Sequence, residues 1–390
     1  MRSTLSLSVA ALVGAALAPI AAASGAGAKP VYSVVHQFTG APSDGAYSYA
    51  DVAVDRAGNL YGATHNGGAH DVGAIYKIAP DGTETILHSF ALGDSNGYNP
   101  YGGVTVDEVT GDLYGTTEFG GTSDAGVIWK LTPDGTFSVL HDFDDAHDGR
   151  QPRWHLVRDR AGDFFGVALY GGAGGDGTVF ELAADGAFTV LHSFSGADGN
   201  NPVGRLYRDR DGDLYGATFL GGAHNWGTVY EIDSHGSFST LYSFTEGADG
   251  GFPEGGLQRD KGGNLYGTTA SGGAGYGTLF ELAPDGSLAT LYTFTDGKDG
   301  GAPFGDLLRT SSGKIYGTTS MSSVGDCQNG CGTVFEFTPG GKLKTLHRFK
   351  GGDGGQADAG LARGDDGALY GAVPYYGVAG DGVVFRIAKS

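Results

Sequence analysis

The sequence predicts an all-β fold: a seven-bladed β-propeller with four antiparallel strands in each blade. A phrase close to Leu-Tyr-Gly-Thr-Thr recurs at a nearly constant spacing, and a long fixed period of this kind is typical of propellers. Each period holds four short strand-like segments separated by glycine-rich turns. No helical apolar period is sustained beyond Pro30. The repeats are centred on Tyr61, Tyr114, Phe165, Tyr215, Tyr266, Tyr316 and Tyr370.

The fifth repeat shows how the strands of one blade are assigned. Its predicted strands are residues 256–260, 264–269, 278–283 and 288–294. The sequences Asp-Lys-Gly-Gly-Asn and Pro-Asp-Gly connect the first and the last pair, and Asp and Gly favour tight hairpins there. The repeat therefore reads as an antiparallel four-stranded sheet.

The two ends of the chain are predicted to share the last blade. Six repeats end with a strand resembling Leu-His-Ser-Phe, whereas the seventh stops before it. The equivalent sequence, Val-His-Gln-Phe, lies at residues 35–38. We expect residues 31–38 to complete the seventh blade, because closing the ring removes an exposed sheet edge.

Composition limits the partners. The 390 residues include 74 glycines, carry a formal net charge of −20 and contain no Lys/Arg cluster, which argues against nucleic acid and anionic membranes as partners. Because each repeat needs its neighbours to bury its apolar faces, residues 29–390 are predicted to form a single propeller, and we expect a monomer.

The N-terminal segment, residues 1–28, is typical of a secretory signal peptide. Arg2 precedes an apolar run from Leu5 to Ile20, and small residues follow it, which predicts cleavage near Ala23 or Ala28. We expect export to the periplasm or the extracellular space, with no transmembrane segment in the mature chain. The alternative is a retained membrane anchor, for which the run is short and rich in alanine.

Several recurrent polar residues have structural interpretations. Arginines that end the first strand vary together with glutamates on the third strand, which predicts ion pairs within one blade or with the preceding blade. Histidines at one strand position exchange with tyrosine, which indicates packing. The arginines are Arg158, Arg208, Arg259, Arg309 and Arg363, the glutamates are Glu181, Glu231, Glu281 and Glu336, and the histidines are His36, His88, His141, His192 and His347.

The sequence gives little support for a metal or a cofactor. Cys327 and Cys331 lie in an extended loop of the sixth repeat, and in an exported protein they predict a disulfide. A weak Ca²⁺ candidate is formed by Asp209, Asp211 and Asp213, but the stretch occupies a repeated hairpin position and lacks a distal Glu. We therefore expect no cofactor and no metal, with Ca²⁺ as the low-ranked alternative.

The repeated phrases resemble those of a known family. Leu-Tyr-Gly-Thr-Thr, Gly-Gly, Gly-Thr-Val-Phe-Glu-Leu, Pro-Asp-Gly and Leu-His-Ser-Phe are similar to the tandem repeat of the GloVer-containing secreted bacterial proteins, described as choice-of-anchor tandem repeat proteins. The resemblance covers nearly the whole chain beyond the predicted signal peptide. It implies an exported bacterial repeat protein and brings neither an activity nor catalytic residues. This chain departs from the family in showing no recognisable anchor.

Functional residues of a repeat protein should be those that break the repeat. At two aligned positions of the first strand the residues vary, and we expect them to ring the mouth of the central channel. Together they offer acids, bases and aromatic surfaces for a polar ligand. The alternative is that they are solvated channel residues paired with one another. The catalytic candidates are Asp51, His155, Glu254 and Asp306, and the binding candidates are Arg153, Arg205, Tyr49, Tyr101 and Phe304.

Variable loop aromatics suggest a carbohydrate surface. Trp226 and Tyr276 are binding candidates because exposed rings beside polar donors suit sugar stacking, the alternative being packing over neighbouring loops. The leading hypothesis is a binding or scaffold propeller for a glycan or protein ligand. The alternatives are a glycan-cleaving enzyme, either a glycoside hydrolase or a polysaccharide lyase, and a purely structural envelope protein.

Overall fold

The computed structural model describes residues 29–93, 95–324, 327 and 330–389 and confirms the predicted architecture. Seven four-stranded antiparallel sheets follow one another along the chain as the blades of a propeller. We number the blades 1 to 7 and call their strands inner, second, third and outer, in the order of hydrogen-bonded pairing. Among the described residues no helix is long and apolar enough to cross a bilayer. The predicted signal peptide, residues 1–28, lies outside the described residues.

Each blade has a short inner strand and three longer strands. The strands are Ala53–Val54, Leu60–Thr64, Ala74–Ile78 and Glu84–Ser89 in blade 1; Thr105–Val106, Leu113–Thr117, Val127–Leu131 and Phe137–Asp142 in blade 2; Val157–Arg158, Phe164–Ala168, Thr178–Leu182 and Phe188–Ser193 in blade 3; Asn200–Arg208, Leu214–Leu220, Thr228–Ile232 and Phe238–Ser243 in blade 4; Gln258–Arg259, Leu265–Ser271, Thr278–Leu282 and Leu288–Thr293 in blade 5; Leu308–Arg309, Ile315–Thr319, Thr333–Thr338 and Lys342–Arg348 in blade 6; and Ala362–Arg363, Leu369–Val373, Val383–Lys389 and Pro30–Gln37 in blade 7. The inner strand of blade 4 is the exception in length. Gly251–Pro253 adds a short segment to blade 5, and Gly45–Ala46 pairs with Asn66–Gly67 in a separate ladder.

The N-terminal strand closes the ring, as predicted. Pro30–Gln37 pairs antiparallel with Val383–Lys389 and is the outer strand of blade 7. A register shift between Val34 and His36 matches the shift that the other six outer strands show at the same place. The first strand of the described chain is therefore a true member of the repeat.

The core consists of aromatic contacts between neighbouring blades. The phenylalanine that directly follows each outer strand is fully buried and packs, mostly edge to face, on a ring of the next blade's third strand. These contacts run around the whole propeller: Phe38–Tyr76, Phe90–Trp129, Phe143–Phe180, Phe194–Tyr230, Phe244–Phe280, Phe294–Phe335 and Phe349–Phe385. Since two neighbouring blades form each of these contacts, every blade stabilises the next one.

The recurrent histidines have the structural role that the sequence indicated. His192 lies 2.8 Å from the Asp198 carboxylate, and Tyr242 donates to Asp249 at the equivalent place. The same aspartates accept from backbone N–H groups of the loop that leads to the next blade, as in Ser195 N–H to Asp198. Four of the five histidine rings, those of His88, His141, His192 and His347, also stack on a ring of the following blade, with centroids 3.7 Å apart for His192 and Phe238.

The prediction that these arginines pair with glutamates of the third strand is wrong. The arginines bind a hairpin aspartate of the preceding blade, as Arg208 does with Asp159 at 3.3 Å. Their guanidinium groups also lie over the aromatic ring of that blade, 4.9 Å from the Phe165 centroid for Arg208. The other such pairs are Arg158–Asp107, Arg259–Asp209 and Arg309–Asp260. The contact is therefore between blades, and the second-strand aromatic ring is part of it.

The same contact explains the weak Ca²⁺ candidate. One Asp209 oxygen accepts backbone N–H groups of residues 211, 212 and 213, and the other binds Arg259. One oxygen of Asp213 accepts the N–H of Ser234. The Asp209 oxygens thus already have protein partners in the hairpin and in the next blade, which argues against a cation there.

The predicted disulfide is present between Cys327 and Cys331. Both residues are buried, and they pack in a cluster with Ala357 of the loop leading into blade 7 and with Val383 of its third strand. The bond thus lies at the joint between blades 6 and 7, whereas the sequence suggested that it holds only a local surface loop.

Candidate functional site

The residues that break the repeat line the central channel in two layers. The mouth layer contains Tyr49, Tyr101, Arg153, Phe304 and Asp358, each two positions before the middle-layer residue in the segment that leads into the inner strand. The middle layer contains Asp51, His155, Arg205 and Asp306, together with Gly103, Gly256 and Gly360. The predicted ring is thus present, apart from Val203, which packs in the apolar core with Leu169 and Ala217.

The channel is narrow at the mouth layer because the inner strands approach closely. A Cβ atom added to Gly305 would collide with the carbonyl oxygen of Ala359 in the next blade, so only glycine fits there. The cavity lined by the mouth and middle layers has a volume of about 20 Å³, which is room for one water molecule. Below the middle layer the channel widens into a cavity of about 300 Å³.

A ladder of stacked side chains forms one wall of the mouth. Tyr49 and Tyr101 stack with centroids 4.7 Å apart, and the Arg153 guanidinium lies 5.1 Å from the centroid of the Tyr101 ring. The Tyr49 hydroxyl is hydrogen-bonded to the Tyr375 hydroxyl at 2.6 Å. These contacts hold three half-buried side chains in fixed positions before any ligand arrives.

Glu118 anchors this wall from below the surface and was missed by the sequence analysis. It is 3% exposed, forms an ion pair with Arg153, and lies 3.4 Å from His65 Nε2. Burial alone would raise the pKa of Glu118, but the hydrogen bond to His65 and the charge of Arg153 outweigh it and lower that pKa. A signal existed, because Glu118 replaces the small or apolar residue that most repeats carry after the second strand.

Two further acids lie at the opposite side of the mouth. Burial, together with the nearby charge of Asp358, raises the pKa of Glu254 to about 8. Burial likewise raises the pKa of Asp358 to about 6, and its Oδ1 is buried without a hydrogen-bond partner in the described chain. At neutral pH the mouth therefore offers a protonated carboxyl group beside an ionised one, that is, a donor beside an acceptor.

The raised pKa of Glu254 predicts a pH-dependent stability. The folded protein binds more protons than the unfolded chain between about pH 4.3 and the folded pKa, so the free energy of unfolding falls as pH rises through that window. Glu254→Gln should thus stabilise the protein by about 2–3 kcal/mol at pH 8 and leave it unchanged at pH 4. Urea unfolding at the two pH values measures this, with the exposed Glu246→Gln as control. An equal effect of Glu254→Gln at both pH values would contradict the assignment.

The middle layer brings together three of the four catalytic candidates. Ligand atoms of Asp51, His155 and Asp306 lie within 4.8 Å of one another, although the residues come from blades 1, 3 and 6. Burial raises the pKa of both carboxyl groups, whereas burial and the charge of Arg205 lower the pKa of His155 to about 4. The fourth candidate, Glu254, is in the mouth beside Asp358 and does not join this group.

The structure places Trp226 and Tyr276 away from the channel. Trp226 packs edge to face on Phe252 of blade 5, with centroids 4.6 Å apart. Tyr276 is 39% exposed and lies against Gly301 of the next blade. Both residues cover joints between neighbouring blades, and neither lines the cavity at the mouth layer.

A known family of repeat proteins matches most of this chain. The chain matches the repeat described as the Gloeobacter/Verrucomicrobia repeat over residues 26–210 and again over residues 156–385. Among curated proteins no match is found.

Solved structures share the fold at low sequence identity. The extracellular domain of a B. thetaiotaomicron protein assigned to the hybrid two-component systems superposes with a TM-score of 0.58 at 12% identity, covering 90% of this chain and 39% of the other. A second such domain from B. thetaiotaomicron gives a TM-score of 0.56 at 13% identity, with 91% and 41% coverage. A Bacteroides uniformis protein assigned as a 6-phosphogluconolactonase gives 0.53 at 18% identity, with 83% and 89% coverage. The chain thus spans about two fifths of the two B. thetaiotaomicron extracellular domains.

Proposed function

The chain belongs to the Gloeobacter/Verrucomicrobia repeat family, and from that membership and the channel geometry we propose that it is an exported propeller that binds a glycan at the channel mouth. Export is supported by the disulfide between Cys327 and Cys331 and by the signal-like sequence of residues 1–28. The observation that carries the binding site is the mouth layer itself, in which half-buried aromatic rings lie on one side and half-buried carboxyl groups on the other.

The chemistry of the mouth favours a neutral polyhydroxy ligand. Phe304 lines the cavity, is half-buried and makes no ring-stacking contact within the described chain, so no other aromatic ring occupies the face on which a sugar could stack. Glu254 and Asp358 supply a donor and an acceptor, and sugar hydroxyls can satisfy both. Because two acids lie here beside a single arginine that is already paired with Glu118, an anionic ligand is disfavoured.

On the mouth side, the room available favours binding over cleavage. The carboxylates of the middle layer lie beneath a cavity of about 20 Å³, which admits a water molecule and not a sugar ring. A glycosidic bond approaching from the mouth would therefore stop above Asp51 and Asp306. We propose that the ligand rests on the mouth layer and is not cut.

A glycan panel with one aromatic variant tests the proposal. We expect at least one soluble polysaccharide to bind the wild-type protein, and Phe304→Ala to weaken that binding by about tenfold, since it removes a stacking face without touching the core. Isothermal titration calorimetry measures the affinity, with thermal unfolding as a check on folding.

Tyr276→Ala is the matched control, because it removes an exposed aromatic ring outside the channel and should leave the affinity unchanged. Equal losses for Phe304→Ala and Tyr276→Ala would move the binding site away from the mouth. A polysaccharide that the wild type shortens and Asp306→Asn does not would replace binding by cleavage.

A further inference from the structure

We propose that the middle layer of the channel is a binding site for one divalent transition-metal ion, held by Asp51, His155 and Asp306. These residues come from blades 1, 3 and 6, so only the closed ring brings them together. The site lies below the proposed glycan position, and it does not depend on that proposal.

The three side chains are arranged as a ligand set. One atom from each of them lies within 4.8 Å of the others, so small side-chain shifts would bring all three to the distance of about 2.0–2.2 Å at which such ligands bind an ion. Two carboxylates and an imidazole form a mixed oxygen and nitrogen donor set, which suits first-row divalent ions such as Zn²⁺, Co²⁺ and Mn²⁺. The site is thus distinct from an oxygen-only Ca²⁺ loop.

The neighbouring glycines both make room for the ligands and hold them. A Cβ atom on Gly103 would collide with the His155 ring, so the ring can occupy its place only beside glycine. The N–H of Gly360 donates to Asp51 Oδ1, and the N–H of Gly256 donates to Asp306 Oδ1. Each carboxylate is therefore fixed through one oxygen while its second oxygen stays available, which is how outer-shell groups orient metal ligands.

The His155 ring lacks other partners. The side chain is half-buried, and neither ring nitrogen forms a hydrogen bond or an ion pair within the described chain. Both nitrogens are therefore available to a ligand. By contrast, the second group of this kind, His36, Asp44 and Glu84, is already joined by a 3.3 Å contact between His36 and Asp44, and Asp44 also accepts from Thr39.

Arg205 is the group that competes with the metal. Its charge acts on all three ligands, but it forms no ion pair with them in the described chain. It therefore compensates the two carboxylates incompletely and from a distance. The cavity above the layer holds about 20 Å³, so a metal-bound water molecule has a place on the mouth side.

Co²⁺ and Zn²⁺ titrations of tag-free, chelator-treated protein test the site. We expect one equivalent of either ion to bind, with visible absorption bands of bound Co²⁺ and a higher melting temperature. His155→Gln should weaken binding by at least about tenfold, because it removes a ligand. Arg205→Gln should strengthen it by about tenfold, because it removes a nearby positive charge.

Controls separate this site from surface binding and from misfolding. His224→Ala removes an exposed histidine and should leave affinity and stoichiometry unchanged. The gain expected for Arg205→Gln cannot arise from a variant that fails to fold. The proposal is overturned if the wild type binds no ion at one equivalent, if His155→Gln binds as tightly as the wild type, or if binding is lost in His224→Ala.

Discussion

Removal of residues 29–37 is expected to destroy the cooperative unfolding of the propeller, because the N-terminal strand is the outer strand of blade 7. Its loss leaves Val383–Lys389 without a partner on one edge. It also removes Tyr32, which stacks on His347 of blade 6 with centroids 3.7 Å apart and donates to the Asp353 carbonyl. Lost hydrogen bonds and burial together should cost about 5 kcal/mol or more, comparable with the whole net stability of a domain.

Urea unfolding and size-exclusion chromatography measure this effect. The unpaired edge should also promote aggregation. A synthetic peptide of residues 29–38, added in excess, should restore the transition by binding to the open edge. Val31→Thr is the matched control, because Val31 is 50% exposed and contributes little burial. An unchanged midpoint in the truncated protein would show that the ring closes without this strand.

Gly267→Ala is expected to destabilise the protein by about 3 kcal/mol, although it adds a single methyl group. The added Cβ would lie 2.5 Å from the Phe280 ring and 2.7 Å from a methyl carbon of Leu257. The Phe280 ring in turn packs on Phe244 of blade 4, so moving it disturbs the joint between blades. The glycine of Leu-Tyr-Gly is therefore present because an aromatic ring covers it.

Gly340→Ala provides the comparison for that substitution. A Cβ atom at Gly340 meets no other atom within 4 Å, and the backbone of Gly340 is not left-handed. The free energy of unfolding of this variant should therefore lie within about 0.5 kcal/mol of the wild-type value. Equal urea midpoints for Gly267→Ala and Gly340→Ala would contradict this account, because they would mean that the Phe280 ring can move without loss of stability.

Much of the fold could be predicted from sequence because each blade repeats the same physical solution. The period, the hairpin signals and the missing seventh outer strand together predicted seven blades and the closure by residues 31–38. The histidine position was interpreted correctly, since its exchange with tyrosine is what a shared hydrogen bond to a loop aspartate permits, as His192 and Tyr242 show.

The contacts between blades could not be predicted in detail. Arg208 varies together with a glutamate and with a hairpin aspartate alike, and the alignment of the repeats carries no information on which one its guanidinium reaches. The structure gives Asp159 of the preceding blade as the partner. Long side chains that reach across a blade joint are decided by packing, in this case over the Phe165 ring.

The candidate site was predicted as one ring, and the structure divides it into layers. The aligned positions placed Glu254 two residues before the position of Asp51, His155 and Asp306, but they did not show that these three side chains meet below the mouth. Tyr375 and Glu118 reach the mouth from loops between second and third strands, and their contribution depends on contacts with Tyr49 and Arg153. Such tertiary contacts produce no periodic pattern in the sequence.

Hydrogen–deuterium exchange with a bound polysaccharide tests the central claim most directly. If the ligand rests on the mouth layer, it should slow exchange in the segments around Tyr49, Tyr101, Arg153 and Phe304 and leave the hairpins at the opposite end of the inner strands unchanged. Protection confined to those hairpins, or to the loops that carry Trp226 and Tyr276, would contradict a binding site at the channel mouth.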